Sequence, residues 1–373
     1  MSRGEGSYLF DDTGKRYLDF AAGIATNSFG HGHSHLVAAL QKQAEQLWHC
    51  SNQFITEPLE RFAARLVDAT FADSVFFCNS GTEAVEAGLK FMRRYHYETG
   101  APHRHRVITF DGGFHGRTYA GISAGGNATA RAGFGQLLNG FDRVPLSDLE
   151  AVRDAITVNT AGMLIEPIQG EGGVQIADPN FLKQLRALCD QHGLLLMCDE
   201  VQCGYGRPGS LFAHERAGIA PDIVSSAKGI GGGFPLGATL LTEKVAAVLP
   251  PGCHGGTYNN NPLAMAVGNA VLDLVLADGL FDHVTQMGTR LMRGLQELHA
   301  AHPDRIAAIR GVGLMIGLAP AGDARALAVA LLERGLTSSP TVTNVLRLVP
   351  PLNISADEVD HALEIIAQTV VSF

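Results

Sequence analysis

Short apolar runs recur along the chain at residues 75–78, 107–110, 163–165, 194–198, 223–224 and 238–241. Apolar residues fill consecutive rather than alternate positions in them, which predicts strands buried on both faces. Helical periodicity fills the intervals. Phe181, Leu185, Leu188 and Cys189 fall on one face of a helix with Asp178 as N-cap, Pro179 at its first position and Gly193 past its end. A second helix is predicted over 82–97, burying Val85, Leu89 and Met92. Strand and helix in alternation predict the α/β class, a mostly parallel central sheet wrapped by helices.

The pattern changes after Asn261-Pro262. A long apolar helix (Leu263, Val267, Val271, Leu274) leads to a second with Val284, Met287, Leu291, Leu295 and Leu298 on one face. Short strand-like pieces at 313–318 and 345–349 and a last helix follow. This predicts a smaller α+β domain over 263–373, beginning with the linking helix, and a large domain over 46–262. The first 45 residues contain a hairpin-like piece, Tyr8-Leu9-Phe10 and Tyr17-Leu18 around a turn at Asp12-Thr13-Gly14, expected to pack with the small domain.

Chemistry collects at the ends of the predicted strands. Asn79-Ser80-Gly81-Thr82 follows the first, Phe114-His115-Gly116-Arg117 the second and Glu166-Pro167 the third. Asp199-Glu200-Val201-Gln202 ends the fourth, and Lys228 the fifth. In open parallel sheets the ligand crevice lies at the carboxyl ends of the strands. Taken singly, each segment has an ordinary explanation: an N-cap, a turn acid, a solvated lysine, a core phenylalanine. Together they supply a helix N-terminus for a phosphate, an acid for a cationic ring nitrogen, an aromatic face, and an amine whose apolar flanks lower its pKa. Pyridoxal phosphate requires this set.

Composition agrees with a globular enzyme. Of 373 residues, 46% are hydrophobic and 17% charged, which argues against disorder. The net charge of −9, with both signs interspersed, offers no basic groove for nucleic acid. The longest uncharged stretch, 229–242, is too short and too rich in glycine and proline to span a membrane. The opening MSRGEGSYLFDDTGKRYLDF has no apolar core of signal-peptide length, so a cytoplasmic protein is expected. Six scattered cysteines without a CxxC pair predict reduced thiols and no metal site.

Longer motifs carry a resemblance. YLFDDTGKRYLDFAAGIATNSFGH, FFCNSGTEAVEAGLK, FHGRT, EPIQGEGGV, CDEVQCGYGRPGSLFAHE, AKGIGGGFPLGA, GGTYNNNPLA and LRLVPPL span nearly the whole chain. With them the chain resembles the fold-type I, class III (subgroup II) pyridoxal-phosphate aminotransferases, and within that family the bacterial acetylornithine aminotransferases. The resemblance implies that Lys228 binds the cofactor aldehyde and shuttles a proton, and that Asp199 faces the pyridinium nitrogen. It further implies that Ser80, Gly81 and Thr82 hold the phosphate, that Phe114 and Val201 sandwich the ring, and that Glu200 and Gln202 complete the cofactor site, Gln202 near the phenolic oxygen. Thr257 is implied to reach the phosphate of a neighbouring subunit in a homodimer with composite sites. Arg117 and Arg347 are implied to bind substrate carboxylates, with Glu171 paired to Arg347 and Gly256 near the substrate.

The implied reaction moves the δ-amino group of N2-acetyl-L-ornithine to 2-oxoglutarate, giving N-acetylglutamate 5-semialdehyde and glutamate, in arginine biosynthesis. Succinylornithine, succinyl-diaminopimelate, ornithine and 4-aminobutyrate stay open as alternative donors. The chain departs from the commonest family pattern at Val85, Cys203, Tyr205, Pro208, Gly256, Asn259-Asn260 and segment 337–343. Two short motifs suggest other classes. Gly204 to Gly209 is a literal GxGxxG with Asp222 downstream, as in NAD-dependent oxidoreductases. Gly121 to Gly125 is a literal GxSxG, as in serine hydrolases.

Overall fold

The run at 194–198 forms the strand Leu195–Asp199, in which every residue is buried. It lies at the middle of a seven-stranded sheet in the computed structural model, which describes residues 1–372. The spatial order is Ser74–Cys78, Gly237–Leu241, Ile223–Ala227, Leu195–Asp199, Thr160–Ile165, Arg106–Phe110 and Phe141–Val144. The last five run parallel. Gly237–Leu241 runs antiparallel to both of its neighbours. All six predicted strands are present. The seventh, Phe141–Val144, escapes the apolar pattern because it is an edge strand of mixed polarity: Arg106 Nε donates to Asp142 at 2.8 Å across the pair.

The helices that position the site start and stop as their sequences dictate. Gly81–Glu98 is capped by Ser80, whose hydroxyl accepts from Glu83 N, while the Glu83 carboxylate reaches back to Asn79 N at 2.8 Å. This is the reciprocal logic of a capping box. Pro179–His192 has Asp178 accepting from Asn180 N and Phe181 N, and ends on Gly193 in the left-handed conformation, φ 63°. No single helix among the described residues is long and apolar enough to cross a membrane.

A second, antiparallel sheet follows in the order Ile306–Val312, Met315–Pro320, Leu346–Leu348, Ser339–Pro340. Leu280–Ala301 packs against it, and Ala356–Ser372 packs on that helix. Ile306–Val312 and the two-residue strand at Ser339 carry too little apolar pattern to be read from sequence. The N-terminal hairpin, Tyr8–Phe10 with Arg16–Asp19, takes Leu336–Thr337 alongside it as a parallel strand.

After this hairpin the backbone does something the sequence hides. Ala22, Gly23, Ile24 and Ala25 have φ of 44°, 62°, 61° and 63°, a left-handed turn of mostly non-glycine residues. The buried carboxylate of Asp19 pins it, accepting from Ala21 N, Ala22 N, Thr337 Oγ1 (2.6 Å) and His31 Nε2 (2.7 Å).

The two rival motifs lose their structural context. No α-helix opens after Gly204–Gly209, and Asp222 is spent on Leu196 N (2.8 Å) and Arg186 (2.7 Å) rather than offered to a ribose. Ser123 lies inside the helix Tyr119–Ala124, buried and donating to Tyr119 O, instead of on a strand-to-helix elbow.

Candidate active site

A cavity of about 350 Å³ opens at the carboxyl ends of the parallel strands. All five chemistry-bearing segments contribute to its lining, through Ser80-Gly81-Thr82, Phe114-His115, Glu166, Asp199-Val201-Gln202 and Lys228. Thr26, directly after the left-handed turn, and Phe234 complete the wall.

One end is a helix N-terminus. The first-turn amides of Gly81–Glu98 have no intrahelical acceptor, and the helix dipole adds positive potential there. Close approach is secured by glycine. A Cβ on Gly81 would lie 2.6 Å from Val201 Cγ1, and one on Gly116 would lie 2.3 Å from Thr82 Oγ1. Space is thereby kept at the place where an anion meets backbone N–H groups.

The floor is electrostatic. Asp199 is 3% exposed, at the end of its strand. Its Oδ1 accepts from Val201 N at 3.1 Å, and its Oδ2 from His115 Nδ1 at 2.8 Å. Burial alone would push the His115 imidazole down, but the hydrogen bond and charge of Asp199, with Glu166 nearby, hold it above its ordinary pKa. His115 therefore backs Asp199 through the hydrogen bond at Nδ1. Glu166 is also buried and accepts from Phe114 N (2.8 Å) and Gly170 N (3.3 Å). Burial, with the charge of Asp199 adding to it, raises its carboxyl pKa.

Lys228 follows the strand Ile223–Ala227 and has φ 52°, a left-handed residue held at the mouth of the glycine-rich loop. Burial and the charge of Arg347 lower its amine to about 8, against the opposing carboxylates of Asp199, Glu166 and Glu171. A lysine so tuned is neutral for part of the time near neutral pH and can act as nucleophile or base.

Beyond Lys228 stands Arg347, 1% exposed, on the strand Leu346–Leu348 of the second sheet. Its Nη1 donates to Glu171 Oε1 and Gln202 Oε1, both at 2.7 Å, and its Nη2 donates to Ser339 Oγ at 2.8 Å.

The structure does not bring every expected residue to the cavity. Glu200 turns the other way: its carboxylate accepts from Ala213 N (2.7 Å), His214 N (2.8 Å) and His214 Nδ1 (2.9 Å) in the core. Adjacent residues at a strand end point to opposite faces, so Asp199 and Glu200 cannot both face the cavity. Arg117 is exposed and lies over the Phe114 ring at 5.3 Å, at the rim rather than in the lining. Thr257 is exposed, and Gly256 is half-buried with its carbonyl accepting from Asn52 Nδ2 at 2.9 Å. His115, Glu166 and Thr26 line the cavity and Ser339 accepts from Arg347, positions that the residue-by-residue reading did not assign. For His115 the signal was present, a histidine beside Phe114 in a segment already placed at the crevice.

An anion cradle, a buried carboxylate, a flanking aromatic and a tuned lysine around one cavity fit pyridoxal phosphate. Comparison with known proteins agrees. The class-III aminotransferase family model matches residues 1–370. Acetylornithine aminotransferase of Mesorhizobium japonicum is 54% identical over 363 residues, which is 97% of this chain and 91% of that protein. N-acetylornithine aminotransferase of Stenotrophomonas maltophilia superimposes with a TM-score of 0.88 at 37% identity, covering 100% of this chain and 95% of that one. Ornithine aminotransferase of Toxoplasma gondii, with pyridoxal phosphate partly occupying its active site, gives a TM-score of 0.96 at 32% identity, covering 100% and 90%. The chain belongs to the class-III aminotransferases and is a pyridoxal-phosphate-dependent transaminase.

Proposed function

We propose that this enzyme transfers the δ-amino group of N2-acetyl-L-ornithine to 2-oxoglutarate, giving N-acetylglutamate 5-semialdehyde and glutamate, as a cytoplasmic step of arginine biosynthesis. The observation that carries the two-substrate reading is the ion pair between buried Arg347 and partly exposed Glu171 beside Lys228. Identity to acetylornithine aminotransferases supports the choice of donor. Pyridoxal phosphate, when bound, supplies the aldehyde that takes the amino group and a ring that withdraws electrons from the reacting carbon.

The chain's own residues do the rest. Gly81 and Thr82 bind the phosphate through first-turn amides, while the Ser80 hydroxyl is occupied as the cap. Val201 and Phe114 flank the ring. Asp199 holds a proton on the ring nitrogen, and His115 holds Asp199. Lys228 Nζ would hold the aldehyde end of the cofactor, and its amine, lowered to about 8, would move a proton at the substrate carbon. Gln202 links the cofactor's phenolic edge to Arg347.

Arg347 receives the carboxylate next to the carbonyl of 2-oxoglutarate. Glu171 covers Arg347 while the ω-amino donor reacts. Arg117, at the rim, meets the donor's distant carboxylate, with Gly256 close to that end. Glu200 supports the loop through the amides of Ala213 and His214 and does not touch the cofactor. Thr257, exposed in one protomer, serves the phosphate of its partner in a homodimer. We divide the chain at residues 45 and 262, the small domain supplying Arg347 and the large one everything at the strand ends.

The test is a donor panel with 2-oxoglutarate as acceptor. N-acetylornithine should give a kcat/KM at least about tenfold above ornithine and 4-aminobutyrate, a difference of about 1.4 kcal/mol. A higher value for ornithine or 4-aminobutyrate would reassign the donor. Borohydride should fix the cofactor to Lys228 in the native enzyme and not in Lys228→Ala.

A further inference from the structure

The partners of Arg347 fall into two groups. Glu171 and Gln202 both sit on Nη1; Glu171 comes from the turn of the small hairpin Ile168–Gln169/Gln175–Ile176 and Gln202 from the loop after Leu195–Asp199. Ser339 sits alone on Nη2 and comes from the small sheet that carries Arg347 itself. Ser339 and Arg347 are directly opposite in antiparallel register, so their backbones are fixed to each other independently of the loops. Burial differs as well. The Glu171 side chain is 20% exposed, whereas Ser339 is 8% exposed and Arg347 is 1% exposed. The charged partner is the one near solvent and the neutral partner is the one locked in the sheet.

We propose that Ser339 is a positioning residue for the acceptor half of the reaction: it holds the Arg347 guanidinium in place when Glu171 departs. The proposal rests on the reading of Arg347 as the acceptor-carboxylate site and adds how that site survives the exchange of partners. A buried guanidinium that loses its only carboxylate would otherwise swing on a long, flexible side chain. It would follow Glu171 or collapse against the wall, and the incoming dicarboxylate would have to reorder it. Arg347 Nε already lacks a hydrogen-bond partner among the described residues, so few contacts remain to fix the group. Ser339 constrains Nη2 and leaves Nη1 free to trade one carboxylate for another. Thr337 and Ser339 lie on consecutive two-residue strands that belong to different sheets, the first beside the N-terminal hairpin and the second beside Arg347. Thr337 places its hydroxyl on Asp19, which pins the left-handed turn before Thr26, and Ser339 places its hydroxyl on Arg347. One short segment thereby reaches both the turn before Thr26 and the Arg347 guanidinium.

Substitutions of equal shape at position 339 isolate the hydroxyl. Ser339→Thr and Ser339→Val should be compared in the holoenzyme, with Ser339→Ala and Arg347→Lys alongside. Single-turnover half-reactions, followed by the absorbance of the bound cofactor, give separate constants for the ω-amino donor and for 2-oxoglutarate. In Ser339→Val and Ser339→Ala the apparent dissociation constant for 2-oxoglutarate, and that for glutamate in reverse, should rise about tenfold, as for loss of one hydrogen bond to a charged group. The donor half-reaction should be unchanged, and Ser339→Thr should restore acceptor binding. Equal losses in both halves, or equal behaviour of the Thr and Val variants, would overturn the proposal, since either makes the hydroxyl merely structural. If Arg347→Lys weakens 2-oxoglutarate and Ser339→Val does not, the proposal fails alone. If Arg347→Lys leaves 2-oxoglutarate untouched, the reading of Arg347 fails and the proposal with it.

Discussion

The Asp199 cluster at the cavity floor and the Arg347 cluster, which meets the cavity lining through Gln202, are built on opposite plans. At the floor, Asp199 and His115 form a closed pair, each almost fully buried, with both carboxylate oxygens committed. At the gate, Arg347 is buried but its carboxylate partner is partly exposed, and its contacts come from two different sheets. A charge that must be present in both half-reactions can be walled in. A charge that must serve unlike substrates needs one partner that can leave. Burying both members of an ion pair makes breaking it costly, about 3–5 kcal/mol when one partner is removed. Leaving one member near water lowers that cost and permits exchange.

The largest expected effect tests the floor. Asp199→Asn removes the negative charge that we propose faces the ring nitrogen, and leaves His115 without its carboxylate partner. Both half-reactions should slow together, by about a thousandfold, in line with the loss of a preorganised electrostatic group. Folding should be retained, because the amide can still accept from Val201 N. Stopped-flow rates that fall in only one half-reaction would dissolve the distinction between floor and gate.

The gate predicts the reverse pattern. Glu171→Ala uncovers Arg347, so the half-reaction with glutamate should gain on that with the ω-amino donor, by about five- to tenfold, the order of a partly exposed ion pair. A purely structural ion pair would instead lower stability and slow both halves equally. The ratio of the two single-turnover rates decides between them.

Lys228 lies between the two regions and senses both, since Arg347 lowers its pKa and Asp199, Glu166 and Glu171 raise it. Its amine is protonated below about 8 and neutral above it. Capture of pyridoxal phosphate by the apoenzyme needs the neutral amine, so its rate should climb with pH up to about 8 and then level off. An inflection near the ordinary lysine value of about 10.4 would show that burial does not tune this amine. The stability sign follows from the same shift. Between about 8 and the unfolded value the unfolded chain binds more protons, so this group makes the apoenzyme more stable as pH rises through that window.

The floor was far more legible in sequence than the gate. Asp199, Lys228 and the Ser80-Gly81-Thr82 segment each lie within four residues of the end of an apolar run, and the topology of a parallel sheet sends such positions to one edge. Glu200 faces away from the cavity for a local reason, because two adjacent acids at a strand end point to opposite faces. His115 was in view but unassigned, since its role exists only through Asp199, 84 positions away in sequence. At the gate the important relation is a cross-strand pair, Ser339 with Arg347, on a strand of two residues. No periodicity marks a strand that short. The left-handed turn at Ala22–Ala25 is hidden too, because its composition gives no sign of positive φ at Ala22, Ile24 and Ala25.

That turn supplies the smallest test, and asks whether the gate-side wall is strained as well as exchangeable. Ile24 has φ 61° and ψ 59° and is 42% exposed. A β-branched residue in this region costs about 1–2 kcal/mol through the clash of Cβ with the following carbonyl. Glycine removes the clash and costs about 0.5–1 kcal/mol in added freedom of the unfolded chain. Ile24→Gly should therefore leave stability unchanged or raise it by up to about 1 kcal/mol. Ile176, 37% exposed and in the strand Gln175–Ile176, provides the control. It is absent from the positive-φ positions, so Ile176→Gly has no strain to relieve and should destabilise by about 1 kcal/mol or more. Denaturant unfolding of the two variants measures the difference. If Ile24→Gly destabilises as much as Ile176→Gly, the turn is relaxed, and the hydrogen bonds that Asp19 accepts from Ala21 N and Ala22 N orient it without holding strain against Thr26 and the cavity.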